Sequence, residues 1–371
     1  MIIFQIFLNL GRAENGQICS DGELADQCVL ACEFDLMTCK SECDSNNCEN
    51  LCFDAFSECN AGCPCGRDCP LGCQDCDHPL CTSDLSETNI LVVPDPLSES
   101  YLTTGDGATI SDVNISSPND NVYMTKHALV QDKLHIFGGT NDGKQISRLE
   151  ECSFMELPHR LSQNFNQMHS VMSIFQGNEA LICFGGREDQ YACEVFTGSG
   201  VHGFHTSTYT HAYGGLAYYK GYPTTVGSAF PADGNKVETL NLAGWKRLPD
   251  FPKYINSHNL IGLKNGDLLT IGGIDSSTSS DLSEIWRLSN DVWSLAGNLL
   301  NPIHMSSSIY IDKQIYVFAG RILSSGNMRS NQRIEMTEEE NIERVTVFGE
   351  HNVNFYFPIL YHAQKDFCLV N

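Results

Sequence analysis

The residues of this chain best suited to chemistry are its thiols and imidazoles. Of 18 cysteines, most lie between Cys19 and Cys81, and only Cys152, Cys183, Cys193 and Cys368 lie beyond. Thiols this dense in one short segment either form disulfides in an oxidising compartment or hold metal. From Cys28 the spacing runs C-x3-C-x6-C-x3-C, passes the turn Asp44-Ser45-Asn46-Asn47, and repeats to Cys63. On a helix the later cysteines of each half fall about 40°, 20° and 60° round from the first, so one stripe carries all of them. Folding two such helices back at the turn sets Cys28 opposite Cys63, Cys32 opposite Cys59, Cys39 opposite Cys52 and Cys43 opposite Cys48. The spacing therefore predicts a disulfide ladder. The rival pairing, Cys32 to Cys39 and Cys28 to Cys43, needs a turn inside Glu33 to Thr38, a stretch without Gly, Pro or Asn. Asn46 or Asn47 can cap the second helix, and Gly62 with Pro64 can end it.

Cys19, Cys65, Cys69, Cys73, Cys76 and Cys81 sit in or beside a Gly/Pro-rich knot. Six cysteines allow about 15 pairings, so their connectivity stays open. Cys73-x2-Cys76 with His78 is the zinc alternative, but the C-x2-C lacks a matching partner pair.

Histidines recur further on, at His127, His169, His211, His258 and His304, with His351 before the last apolar stretch. Imidazoles converging on one axis would make a metal or pH-responsive site. The alternative is that each is held by hydrogen bonds to its neighbours. No cofactor is expected, because no nucleophile, base and orienting partner assemble into a recognisable catalytic set.

The elements that carry these histidines repeat. Lys133-Leu-His-Ile-Phe-Gly138-Gly139 returns as Leu181-Ile-Cys-Phe-Gly185-Gly186, Thr225-Val226-Gly227-Ser228, Leu268 to Gly272-Gly273, and Ile315 to Ala319-Gly320. The steps are about 42 to 47 residues, a period typical of solenoids, propellers and arrays. Each glycine pair ends a second apolar strand, where the chain must turn sharply. A third strand follows, such as Val237-Glu238-Thr239-Leu240, and then an outer edge such as Trp245-Lys-Arg-Leu-Pro249. The order of inner strand, turn, strand with Gly-Gly, strand with Val-Glu or Ile-Glu, and Trp with Leu-Pro resembles the kelch repeat over residues 89–371. The third unit departs from it with Gly227-Ser228, and the first, second and fifth lack the outer Trp.

The resemblance implies a mainly β protein, a kelch-type β-propeller. Five complete units run from His127, and leftover strands stand at both ends: Ile90 to Ile110 at the start, Phe355 to Tyr361 and Phe367 to Val370 at the finish. Stitched together these make a sixth blade and hide the open edges, with seven blades the alternative count. Cys183 and Cys193 flank one hairpin and are expected to pair. Cys152 and Cys368 then remain as a pair in units that ring closure makes neighbours.

Four segments are expected: residues 1–16 a signal peptide, 17–82 a cysteine-rich helical hairpin and knot, 83–88 a linker, and 89–371 the propeller. Ile2 to Leu10 is a short apolar run, and no other is long enough for a membrane-spanning helix. A formal charge of −24 excludes a phosphate-binding surface built on clustered Lys and Arg. Asn114-Ile115-Ser116 is an N-glycosylation sequon in a polar loop.

Three function classes follow. A secreted, non-enzymatic binding or structural protein, meeting an extracellular protein or glycan through a propeller face, needs only these features. A copper-dependent oxidase resembling galactose oxidase would need a free cysteine beside a tyrosine together with Tyr and His ligands. A metal-binding propeller would need the histidines to converge. Intracellular kelch adaptors carry a helical dimerisation domain where this chain has cysteines instead.

Overall fold

The computed structural model describes residues 85–117, 122–185, 190–322, 326–327, 330–350 and 355–369. The chain divides into two units, Met1–Ser83 and Asp84–Asn371. The segment expected as a signal peptide, the expected ladder from Cys28 to Cys63, the knot, Gly186 and His351 lie outside the described residues.

Six four-stranded antiparallel sheets make up its frame. The first holds Lys126–Val130, Lys133–Phe137, Ile146–Glu150 and Ser153–Glu156. The second holds Ser170–Ile174, Glu179–Cys183, Cys193–Phe196 and Val201–Gly203. The third follows with Gly215–Tyr219, Tyr222–Val226, Val237–Asn241 and Gly244–Arg247. In the fourth are Asn259–Gly262, Leu268–Ile271, Glu284–Ser289 and Val292–Asn298. The fifth has Ser307–Ile311, Gln314–Phe318, Ser330–Met336 and Ile342–Glu350. The sixth joins the C-terminal strand Ile359–His362 to Asn89–Val93, Tyr101–Thr104 and Ile110–Asp112. Its seam is the antiparallel pairing of Ile90 with His362 through Val93 with Ile359.

The strands are apolar on both faces because each sheet is covered on both sides. Along Asn89–Val93 side chains alternate: Leu91 and Val93 pack with Leu134, Ile136 and Phe154 of the first sheet. Ile90 and Val92 pack instead with Tyr316, Phe318 and Phe348 of the fifth. The remaining junctions are built the same way. Val130 and Phe137 meet Ile182 and Phe196, Ile174 and Leu181 meet Leu216 and Leu240, Val226 and Val237 meet Leu268 and Leu288, and Leu269 and Ile285 meet Ile315 and Ile334. Every sheet therefore shares a core with the next, and the sixth shares one with the first. This circuit is a β-propeller-like fold, in which no sheet stands with a bare apolar face.

Two details differ from the sequence reading. The end of the chain contributes one strand to the sixth sheet and the beginning three, rather than two each. Phe355–Phe357 turn the corner into the last strand, with Phe357 at φ +48°, while Lys365–Cys368 form a turn held at Cys152. In the second sheet the place of the first turn glycine belongs to Phe184, at φ +64°. Its N–H donates to the carbonyl of Ala192, as Gly138 N–H does to Gln145 and Gly227 N–H to Lys236.

The turn glycines lock sheet to sheet. A Cβ at Gly138 would stand 2.1 Å from the Phe165 carbonyl oxygen, and one at Gly227 2.1 Å from that of Ile255. Those same carbonyls accept the N–H of the following residue, Gly139 and Ser228 respectively. The backbone of the connecting segment thus lies where only a hydrogen atom fits. Among the described residues, no helix is long and apolar enough to cross a membrane.

Candidate functional site

Each sheet is approached through a corner residue with positive φ just before its innermost strand. The six are Met124, Met168, Tyr213, Ser257, Met305 and Phe357, with φ between 48° and 67°. Left-handed backbone is uncommon for such side chains, so hydrogen bonds must hold it. Phe357 N–H donates to Met305 O at 2.9 Å, Met305 to Ser257 at 3.0 Å, Ser257 to Tyr213 at 2.7 Å, and Tyr213 to Met168 at 2.9 Å. This backbone belt links five corners. Among the described residues it does not continue to Met124.

Side chains of this belt fill the middle. Tyr213 and Phe357 belong to the third and sixth corners, yet their rings lie 6.2 Å apart and nearly parallel, at 9°. Lys126, two residues beyond the unlinked corner, sets its Nζ 3.7 Å from the centroid of Phe357. Burial lowers the Lys126 ammonium to about 7. Apart from Ser257, which is buried, the corner residues and Lys126 are all half-buried, leaving part of each side chain open to solvent.

The histidines surround this centre without converging on a single point. Among the described residues, no group of three His, Cys, Asp or Glu side chains is placed to hold a metal ion. His127 Nε2 accepts the Leu360 N–H at 3.4 Å, joining the first sheet to the sixth. Burial, together with the charge of Lys126, pushes it down to about 4. His169 is fully buried and donates from Nε2 to the Phe137 carbonyl at 3.0 Å. Burial and Lys126 push it down to about 3.

His211 Nδ1 lies 2.9 Å from the Gly227 carbonyl, and its Nε2 lies 3.2 Å from Glu238 Oε2. Burial pushes the Glu238 carboxyl up, but hydrogen bonds from His211, Tyr209 and Thr208 outweigh it and hold the group below its ordinary value. His258 is 5% exposed, and among the described residues neither ring nitrogen has a partner. Burial and then His211 push it down to about 3. His304 Nδ1 meets Asp281 Oδ1 at 2.6 Å, and burial still lowers it against the pull of that carboxylate. Apart from His258, these imidazoles thus act as struts between a strand and its neighbours.

The Glu of the third strand has a role that the sequence pattern does not disclose. Glu194 accepts the Ser162 and Gln163 N–H groups at 2.9 and 2.8 Å, and Glu238 accepts those of Thr208 and Tyr209. In the fifth sheet Gln332 does both jobs, accepting from Asn301 N–H and donating to its carbonyl. Each clamps the loop arriving from the preceding sheet. Of the other landmarks, Gly139, Gly272, Gly273 and Gly320 all have positive φ at the ends of second strands, and Gly185 is buried.

Both cysteine pairs beyond the first unit form disulfides. Cys183 and Cys193 face each other on paired strands, with Cα atoms 4.1 Å apart. Cys152 and Cys368, 5.6 Å apart, tie the first sheet to the tail beyond the last strand. Beside this bridge Asn114 is exposed, and its N–H donates to the Cys368 carbonyl.

The frame has a solved counterpart. It is similar in fold to the solved structure of YjhT. The match covers 67% of this chain and 91% of YjhT, with a TM-score of 0.52 and 13% identity. At that identity the likeness to YjhT concerns fold alone. No family model matches the chain, and no curated protein matches its sequence.

Proposed function

We propose that this chain is a non-enzymatic binding or structural protein of an oxidising, extracellular compartment, and that it meets a protein or glycan through one face of a kelch-type propeller. On this reading the six sheets are six blades, closed by strands from both ends of the chain. The preceding cysteine-rich segment is a rigid helical hairpin laddered by Cys28–Cys63, Cys32–Cys59, Cys39–Cys52 and Cys43–Cys48, behind a signal peptide. The sequon at Asn114 would carry its glycan on exposed surface.

One observation carries the proposal: all four cysteines among the described residues are bridged, and one bridge ties the first sheet to the tail beyond the last strand. Such bridges persist where thiols are not kept reduced. The loops at the sheet ends are where a fold of this kind carries contact residues.

Two measurements test it. Peptide mapping of secreted, unreduced protein should recover the ladder peptides as cross-linked pairs; free thiols through that segment would end the compartment reading. Cross-linking intact extracellular material should capture a reproducible protein or glycoprotein partner that competes with unlabelled chain. If only non-competable background is captured, the binding reading fails.

A further inference from the structure

A lysine buried without a carboxylate is costly, because removing an ammonium from water disfavours its charge. Lys126 is half-buried, no carboxylate among the described residues pairs with it, and burial is what lowers it. Its Nζ rests instead on the face of Phe357, at 3.7 Å. Phe357 is in turn stacked on Tyr213, a corner residue of a sheet three places away. The backbone belt that ties the other corners together stops on this side, at Met124. A cation with no carboxylate partner among the described residues and a stacked aromatic pair thus meet beside the corner where the belt is open.

We propose that Lys126, Phe357 and Tyr213 form a binding site for a small carboxylate with an aromatic or apolar body. The carboxylate lies on the Lys126 ammonium, supplying a counterion that none of the described residues provides. The body lies against the half-buried rings of Tyr213 and Phe357, with the half-buried corner residues Met124 and Met168 available for dispersion contacts. The site stands on the centre of the circuit and does not depend on the extracellular partner proposed above. Partner capture can fail while the small ligand binds, and the reverse can also happen.

The two histidines that feel the charge of Lys126 titrate well below it. His127, on its own strand, and His169, heading the next sheet, are held down at about 4 and about 3. Tyr213, from the third sheet, is raised by burial and then by Tyr123 beside it. A carboxylate that binds the ammonium must weaken as pH rises through about 7, where Lys126 loses its proton.

The test is calorimetric titration of the full-length protein with benzoate, which stays ionised across the range used. Benzoate should bind in the millimolar range or tighter. Benzamide, a neutral isostere, should bind about tenfold more weakly, the scale of one charge-assisted contact. Lys126→Met should cost about tenfold, Lys126→Arg should keep most of the affinity, and Tyr213→Ala should weaken binding severalfold. With the unmodified protein, affinity should fall steadily between pH 6 and 8.5, which serves as the deciding readout if a variant does not fold. Absence of benzoate binding, equal binding of benzamide, full affinity in folded Lys126→Met, or a flat pH profile would each overturn the proposal.

Discussion

Single buried side chains set how this protein responds to pH. His127, His169 and His258 are neutral in the folded chain, with values near 4, 3 and 3 against about 6.5 when unfolded. The unfolded chain therefore takes up protons first as pH falls below about 6.5. Stability is complete above that value and declines toward pH 4, each histidine contributing up to about 1.4 kcal/mol per pH unit. The urea midpoint should drop over this range, and His258→Leu should flatten the slope, because its ring makes no bond among the described residues that would be lost. Lys126 acts in the opposite sense to a stabilising charge. Below about pH 7 it is protonated in both states and its burial is a full cost, which is relieved as pH rises toward the unfolded value. Lys126→Met should therefore raise Tm by about 2 °C for each kcal/mol recovered, measurable by calorimetry at pH 6.5. A residue kept against stability is what a ligand site leads one to expect.

At the scale of elements, the turn glycines differ in what they tolerate. Gly138→Ala and Gly227→Ala each drive a methyl group into a carbonyl oxygen 2.1 Å away. Each should lose more than about 3 kcal/mol in denaturant unfolding, since two sheets must separate to make room. Gly177, at φ +81° with nothing within 4 Å, should lose only about 1 kcal/mol on the same change. Equal losses at the two kinds of site would contradict the locking role. Glu238→Gln should cost about 2–4 kcal/mol, because His211 and the backbone of Thr208 and Tyr209 lose a charged acceptor. Much of this level was legible beforehand: glycines, alternating apolar runs and histidines mark strands and turns through local chemistry. The corners were not legible. Met124, Tyr213, Ser257 and Phe357 share a backbone conformation but no side-chain property, so no composition signal marks them. Phe184 hides a turn position for the same reason, and the clamp at Gln332 replaces the Glu of the pattern with an amide. Lys126 reads in sequence as an ordinary strand-edge lysine, and only the stacking of Phe357 on a residue 144 positions earlier places it at the centre.

For the whole molecule, the seam governs integrity. Cys152–Cys368 closes a span of 216 residues, and in the chain-entropy view a loop of that length contributes about 5 kcal/mol. Cys152→Ser with Cys368→Ser should lower Tm and expose Asn89–Val93 and Ile359–His362 to hydrogen exchange before the other sheets. Cys183–Cys193 spans only 10 residues within one sheet, so its removal should cost less and leave the exchange pattern of the seam unchanged. Mass spectrometry after timed deuterium labelling separates the two outcomes.

The sixth sheet takes its innermost strand from the opposite end of the chain to the other three. Translation delivers those three before the five intervening sheets and the last one after them. Until then a row of unpaired amides and carbonyls waits in the nascent polypeptide, a ready target for chaperones or for another copy's tail. A premature stop codon anywhere upstream of Ile359 would leave that row permanently unsatisfied, so even late truncations should be degraded rather than accumulate.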